Sequence, residues 1–502
     1  MNGRVSLLFL LFAGTALSLT LNKASTGFNR KRWLIHGRPW HGLRPPPTKT
    51  STEEIPERSF LQPLDNFNTS NRAMYKQRYW TSDKFYKPGG PLFLMLGGEG
   101  AEDSSWLTEE GLEWVTLAKK FNARMFLLEH RYYGASGPQG IEFGDFKYLS
   151  SRQALADMSN FIRFTNVENL YENPKWIVFG GSYSGALAAW ARQQYPELVY
   201  GAVASSAPIQ AEVDFYQYLE VVHFAFNETS PRCADNIHAA FAQLSKLMET
   251  SAGRKTVQGA LKVCPKVDFT VPENVHQFWQ SIIGNFMAIV QYGGDNAGDY
   301  RTTQTPEAIC KIMDDESTDV LSRLVTVNDY FMKMYREECL NIDYESYIDY
   351  MRSPWAGSDR AWTWQTCTEF GYYQTTDSPS AGPWLGDAKK SFMPIDFLVK
   401  ECGLIFGDAY NSAAVYTAID KTNAFYGGVA NFNESRVMFP NGNHDPWSAL
   451  GNLHSRNPLS PSIVIDGTAH CGDMYVEAED DLPSLKKARK LIERHMTAWM
   501  YH

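Results

Sequence analysis

An α/β fold is what this sequence predicts, one sheet-and-helix domain interrupted by a large helical cap. Three observations carry that expectation. Short runs of consecutive apolar residues alternate with helix-length segments, the pattern of parallel strands covered on both faces. A serine sits in a glycine-rich turn between one such run and an alanine-rich helix. A stretch of about 200 residues then lacks the alternation, which returns only near the C-terminus.

Taken in order, Arg4, the apolar Val5–Phe12 and the small-residue Ala16-Leu17-Ser18 form a signal peptide over residues 1–18. Residues 19–58 read as a flexible leader or propeptide, polar and irregular around Arg30-Lys31-Arg32 and Pro45-Pro46-Pro47, with too little apolar surface to order itself. Residues 59–206 form the first part of the sheet domain, where Leu92–Leu96 ends at Gly97-Gly98 and Arg124–Leu128 ends at Glu129-His130. Trp176–Phe179 runs into Gly180-Gly181, and Ala202–Ala204 into Ser205-Ser206. Residues 207–405 are the cap, with amphipathic stretches such as Ile237–Leu247 and Val320–Tyr335. Residues 406–502 complete the sheet domain with Arg436–Phe439, Ser462–Ile465 and a closing helix that presents Leu485, Ala488, Ile492, His495 and Trp499 on one side.

Composition narrows the function. With 44% hydrophobic and 21% charged residues the chain can bury a large core, and 14 Trp with 26 Tyr suit packed layers or a ligand-lining cleft. A formal charge of −9 gives no attraction for phosphate backbones, so nucleic acid is not an expected partner. No run after the signal approaches the roughly 20 apolar residues a membrane anchor needs. The chain is expected in the secretory pathway, secreted or lysosomal, where the sequons at Asn68, Asn227 and Asn433 would be glycosylated. Seven cysteines include six clustered ones (Cys233, Cys264, Cys310, Cys339, Cys367, Cys402) and the separate Cys471. Three disulfides are expected among the six, whose pairing the sequence leaves open.

The chemistry centres on Ser182 in Phe179-Gly180-Gly181-Ser182-Tyr183-Ser184-Gly185. A sharp strand-to-helix turn would lift its hydroxyl above the sheet, and the Tyr183 backbone N–H at the helix start would face an oxyanion. The pattern departs from G-x-S-x-G, with Ser184 where the second glycine belongs and the glycine one later. A serine nucleophile needs a base and a carboxylate that orients the base. In α/β-hydrolases these follow the serine, acid first, and Asp445 and His470 each stand in a loop just after a strand run. His444 is the rival base and Asp466 the rival acid; the first adjoins Asp445 and the second falls too close before His470 to come from a separate strand.

Several longer motifs then carry a resemblance. Leu64–Asn68, Gln77–Trp80, Leu96–Gly100, Glu129–Gly134, Gly180–Gly185, Ser205–Pro208, Gln365–Gly371, Asn443–Trp447 and Ala469–Cys471 occur in one order over most of residues 60–502. In them the chain resembles the serine peptidase family that includes prolylcarboxypeptidase, dipeptidyl peptidase II and thymus-specific serine protease, the last most of all. The resemblance implies an α/β-hydrolase fold with a helical cap, the triad Ser182, Asp445 and His470, and hydrolysis of peptides near proline at a terminus. It also implies Trp447 and Glu99 as substrate-binding residues and Gly98 in the oxyanion loop. The pairings it implies are Cys233 with Cys310, Cys264 with Cys339, and Cys367 with Cys402. Peptides are the expected partners, a homodimer is compatible with the sequence, and neither a metal nor a cofactor is needed. The competing readings are a carboxylesterase, which would usually carry an H-G-G-G run where this chain has Gly97-Gly98-Glu99-Gly100, and a catalytically silent peptide-binding homologue. Acid activity would require burial to keep His470 neutral against the pull of Asp445.

Overall fold

The apolar runs become the centre of an eight-stranded sheet in the computed structural model, which describes residues 35–38, 43, 46, 54–137, 145–294, 303–380, 382–385 and 390–501. The signal segment and Arg30-Lys31-Arg32 lie outside the described residues. In chain order come β1 (Arg58–Pro63), β2 (Met74–Ser82), β3 (Leu92–Leu96), β4 (Arg124–Leu128), β5 (Trp176–Gly181) and β6 (Val199–Ser205). A short parallel pair, β7 (Glu212–Asp214) and β8 (Gly371–Tyr373), stands apart within the helical half. β9 (Val437–Gly442) and β10 (Ser462–Ile465) return to the main sheet.

The sheet order is β1-β2-β4-β3-β5-β6-β9-β10. β2 runs antiparallel to β1 and β4, and every pairing from β4 to β10 is parallel. This is the α/β-hydrolase arrangement. Burial alternates along β3: Leu92, Leu94 and Leu96 pack under the helices Ser151–Glu168 and Tyr183–Gln194, while Phe93 and Met95 pack under Glu113–Phe121 and Pro483–Tyr501. The closing helix buries Leu485, Ala488, Ile492 and Trp499 as expected, with Met496 on the buried line and His495 partly exposed. β1 and β2 went unforeseen because they form the half-exposed antiparallel edge, where Lys76, Gln77 and Arg78 break any apolar run.

Between β6 and β9 the chain is mostly helical, and the helical run continues past residue 405 through Ser412–Tyr426. That last helix is tied to both halves: the Asn423 side chain bonds the Ala211 backbone, and Tyr426 stacks on Trp190 at 4.0 Å. Three disulfides staple the cap, Cys233–Cys310, Cys264–Cys339 and Cys367–Cys402, and Cys471 is buried and unpaired. Asn68, Asn227 and Asn433 are exposed.

The leader departs from a wholly flexible tail. Ile35, His36, Gly37 and Arg38 form a buried turn, closed by reciprocal backbone bonds between Ile35 and Arg38. The order comes from partners elsewhere: the Trp362 indole donates to the His36 carbonyl, and Tyr373 meets the His36 ring edge-on at 5.0 Å. Burial lowers the His36 imidazole to about 4 and raises the facing Glu401 carboxyl to about 8, so both are neutral near pH 7.

Candidate active site

Ser182 is the first residue after β5, at φ 60° and ψ −130°, a backbone region that costs a non-glycine residue on the order of 1–3 kcal/mol. The surroundings fix it there. Its N–H donates to the Ser205 carbonyl at 3.0 Å, and Ser184 Oγ closes the turn by accepting from the Gly181 N–H and donating to the Gly181 carbonyl. A Cβ at Gly180 would stand 2.0 Å from the Ser184 carbonyl oxygen, and one at Gly185 would stand 2.6 Å from the Ser205 carbonyl oxygen. The displaced glycine of the sequence pattern is thereby explained: position 185 faces β6, and position 184 needs a hydroxyl.

Asp445 and His470 follow β9 and β10, both fully buried. His470 Nδ1 lies 2.9 Å from Asp445 Oδ1, which also accepts from the Trp447 N–H at 2.9 Å. The His470 N–H donates to the Gln291 carbonyl, so a cap helix holds the ring's backbone. The residues flanking Ser182 and His470 touch, since a Cβ at Gly181 would stand 3.0 Å from Cys471 Sγ. Burial by itself would lower the His470 imidazole, but the Asp445 carboxylate outweighs it and holds His470 well above the usual histidine range. Burial also raises the Cys471 thiol, which stays neutral and leaves Asp445 as the charge that matters. The rivals stand elsewhere: His444 pairs with Glu228, and the exposed Asp466 accepts from Asn443.

A second layer escaped the sequence reading, which used Tyr183 only for its backbone. His130 Nδ1 must donate to the Arg131 carbonyl, 2.7 Å away, because a carbonyl only accepts. His130 Nε2 therefore accepts from the Tyr183 hydroxyl at 2.9 Å, consistent with burial lowering this imidazole to about 3. The Tyr183 oxygen in turn accepts from Gln365 Nε2 at 2.9 Å, and Gln365 Oε1 accepts from the Tyr133 hydroxyl at 2.6 Å. This directed chain pins the first residue of the helix that follows Ser182. Its members lie in the Glu129–Gly134 and Gln365–Gly371 motifs, and the available signal was polar residues at positions the flanking apolar runs bury.

The loop after β3 approaches the same point. A Cβ at Gly98 would stand 3.5 Å from Ser184 Cβ, so this glycine lies against the helix start. Glu102 lies against the neighbouring Gly97, and burial raises its carboxyl to about 8. Glu99 is buried, and burial raises its carboxyl too. Beside His470, Trp447 is 3% exposed and packs with Phe215, Tyr218 and Tyr372 at ring separations of 5.5, 6.0 and 5.1 Å.

Comparison with known proteins gives the family. A Caenorhabditis elegans chain named as a serine protease is 42% identical over 509 residues, 99% of each chain. Human thymus-specific serine protease is 32% identical over 459 residues, covering 88% of this chain and 85% of its own, and human lysosomal Pro-X carboxypeptidase is 28% identical over 456 residues, 88% and 87%. The family model described as serine carboxypeptidase S28 matches residues 62–492. The chain belongs to that family and is a serine-type peptidase.

Proposed function

We propose that Ser182, His470 and Asp445 act together as nucleophile, base and acid, and that the enzyme cuts peptides near one terminus after proline or a small apolar residue. The observation that carries the reading is the buried 2.9 Å contact of His470 with Asp445 beside the strained Ser182 turn. His470 takes the Ser182 proton as the hydroxyl oxygen attacks the scissile carbonyl, and Asp445 steadies the imidazolium. The oxyanion meets the N-terminus of the helix Tyr183–Gln194, with the backbone N–H groups of Tyr183 and Gly98 as its proposed donors. Collapse breaks the C–N bond, the amine leaves with the proton from His470, and water releases the acyl group by the same steps in reverse.

Proline preference is supported by Trp447 next to His470, backed by Phe215, Tyr218 and Tyr372 packed on its ring, and by the name of the Pro-X carboxypeptidase relative. The terminal preference rests on the cap: Gln291 of the cap bonds His470 directly, leaving little room for a folded chain. Three disulfides and exposed sequons support passage through the secretory pathway as a glycoprotein, with a secreted or lysosomal end point. The test is digestion of peptide libraries with free and blocked termini between about pH 4 and 8. Cleavage beside proline at one free terminus is expected; internal cuts in a long unfolded chain at rates matching short peptides would overturn the terminal reading.

A further inference from the structure

The four leader residues are held by side chains and backbone around the proposed site. Arg38 Nη1 lies 2.6 Å from Asp359 Oδ1 and its Nε 2.5 Å from the Glu99 carbonyl oxygen, with the arginine side chain 1% exposed and the aspartate 4%. The other Asp359 oxygen accepts from the Tyr350 hydroxyl at 2.6 Å. Gly37 lies at φ +72° against the aromatic wall, so closely that a Cβ would stand 2.3 Å from Trp447 Cζ2. Its carbonyl accepts from Gln291, the residue whose own carbonyl takes the His470 N–H. Further on, Leu43 touches the strand end before Ser182, where a Cβ at Gly181 would stand 3.1 Å from Leu43 Cδ2. Leader residues thus contact the neighbours of both the proposed nucleophile and the proposed base.

A buried carboxylate is stable only when paired, and taking the cation from such a pair costs several kcal/mol in general. Asp359 is therefore stabilised by a cation in this place, and Glu99 beside it is a second buried carboxyl whose Oε2 carries no hydrogen bond among the described residues. We propose that Asp359, with Tyr350 and the Glu99 carbonyl, is a cation-recognition subsite of the peptide cleft, taking a guanidinium or ammonium group of a substrate, and that Arg38 fills it in the intact chain as a tethered, substrate-like occupant. The inference rests on the proposed peptidase reading of the cleft. It assigns the leader the role of blocking the cleft until displaced, and it gives substrates with a basic residue an advantage once the leader is gone.

The test uses the full chain carrying Arg38→Ala, or Arg38→Met if alanine impairs folding, and a fluorescent synthetic peptide of residues 33–46. The peptide should bind this variant about ten-fold or more tightly than a copy with alanine in place of its Arg38, and Asp359→Asn should abolish that preference. Fluorophosphonate labelling of Ser182 should also be about ten-fold or more faster in the Arg38 variant than in the parent chain. Equal binding of the two peptides, or a preference that survives Asp359→Asn, would overturn the subsite and leave Arg38–Asp359 as a plain structural pair. Arginine-dependent binding in a protein whose Ser182 resists fluorophosphonate would keep the subsite and sink the peptidase assignment of Ser182, so the two failures are told apart.

Discussion

The sheet half and the cap half are stabilised by different means. Along the sheet, buried apolar strands hold the backbone rigidly enough to keep Ser182, Ser206 and Cys471 at positive φ (60°, 47° and 58°) around the chemistry. Among the described residues the cap has no such central sheet and instead closes loops of 77, 75 and 35 residues with disulfides. Reactivity and stability should therefore separate: a change at the strand ends removes chemistry with the fold intact, and a change in the staples loosens the cap with the nucleophile intact.

The largest expected effect tests the first half of that contrast. Ser182→Ala should lower peptide turnover on the order of a million-fold while leaving the thermal midpoint unchanged or slightly higher, checked by peptide hydrolysis and calorimetry. Retention of a tenth of the parent rate would remove Ser182 from the mechanism.

The second half is tested by the double change Cys264→Ala with Cys339→Ala. Opening that loop should cost about 4 kcal/mol, read as a lowered denaturation midpoint and faster proteolysis of the cap, with labelling of Ser182 retained at low temperature. Loss of labelling under native conditions would mean that the staple and the site form one unit.

Much of this contrast was legible in the sequence, and unevenly so. The parallel strands and the loops bearing Ser182, Asp445 and His470 were readable because a strand covered on both faces must be apolar at consecutive positions, and its end shows as a switch to glycine or a polar residue. The cap pairings came from resemblance, since six cysteines alone permit 15 arrangements. The Tyr183 network was hidden because its members lie far apart in the chain, 53 residues from His130 to Tyr183 and 182 from Tyr183 to Gln365. The docked leader was hidden for a related reason: its own composition cannot order it, and its partners Asp359, Trp362 and Glu401 come more than 300 residues later.

A smaller effect sharpens the boundary between the two halves. Tyr183→Phe would leave His130 Nε2 and one Gln365 N–H buried without a partner, at a cost of about 1–3 kcal/mol. Because the phenol positions the helix start, kcat should fall by roughly ten-fold with KM nearly unchanged. A drop in stability with kcat intact would make the network structural only. The smallest effect belongs to His444→Ala, which removes a partly exposed contact with Glu228: turnover should stay within about two-fold and stability within about 1 kcal/mol.

In the proposed mechanism Ser182 is activated by a His470 whose proton affinity Asp445 raises. The raised imidazole must be neutral to accept the serine proton, so reactivity is present above its pKa and lost as pH falls through it. This sign opposes the acid optimum that burial by itself would favour. The most direct measurement is the rate of fluorophosphonate labelling against pH, with the modified peptide identified by mass. An adduct on Ser182 is expected, with a rate that falls with acid through a single titration above about 6.5, the ordinary histidine value. An adduct on another serine, or a Ser182 rate that stays flat into the acid range, would contradict this mechanism.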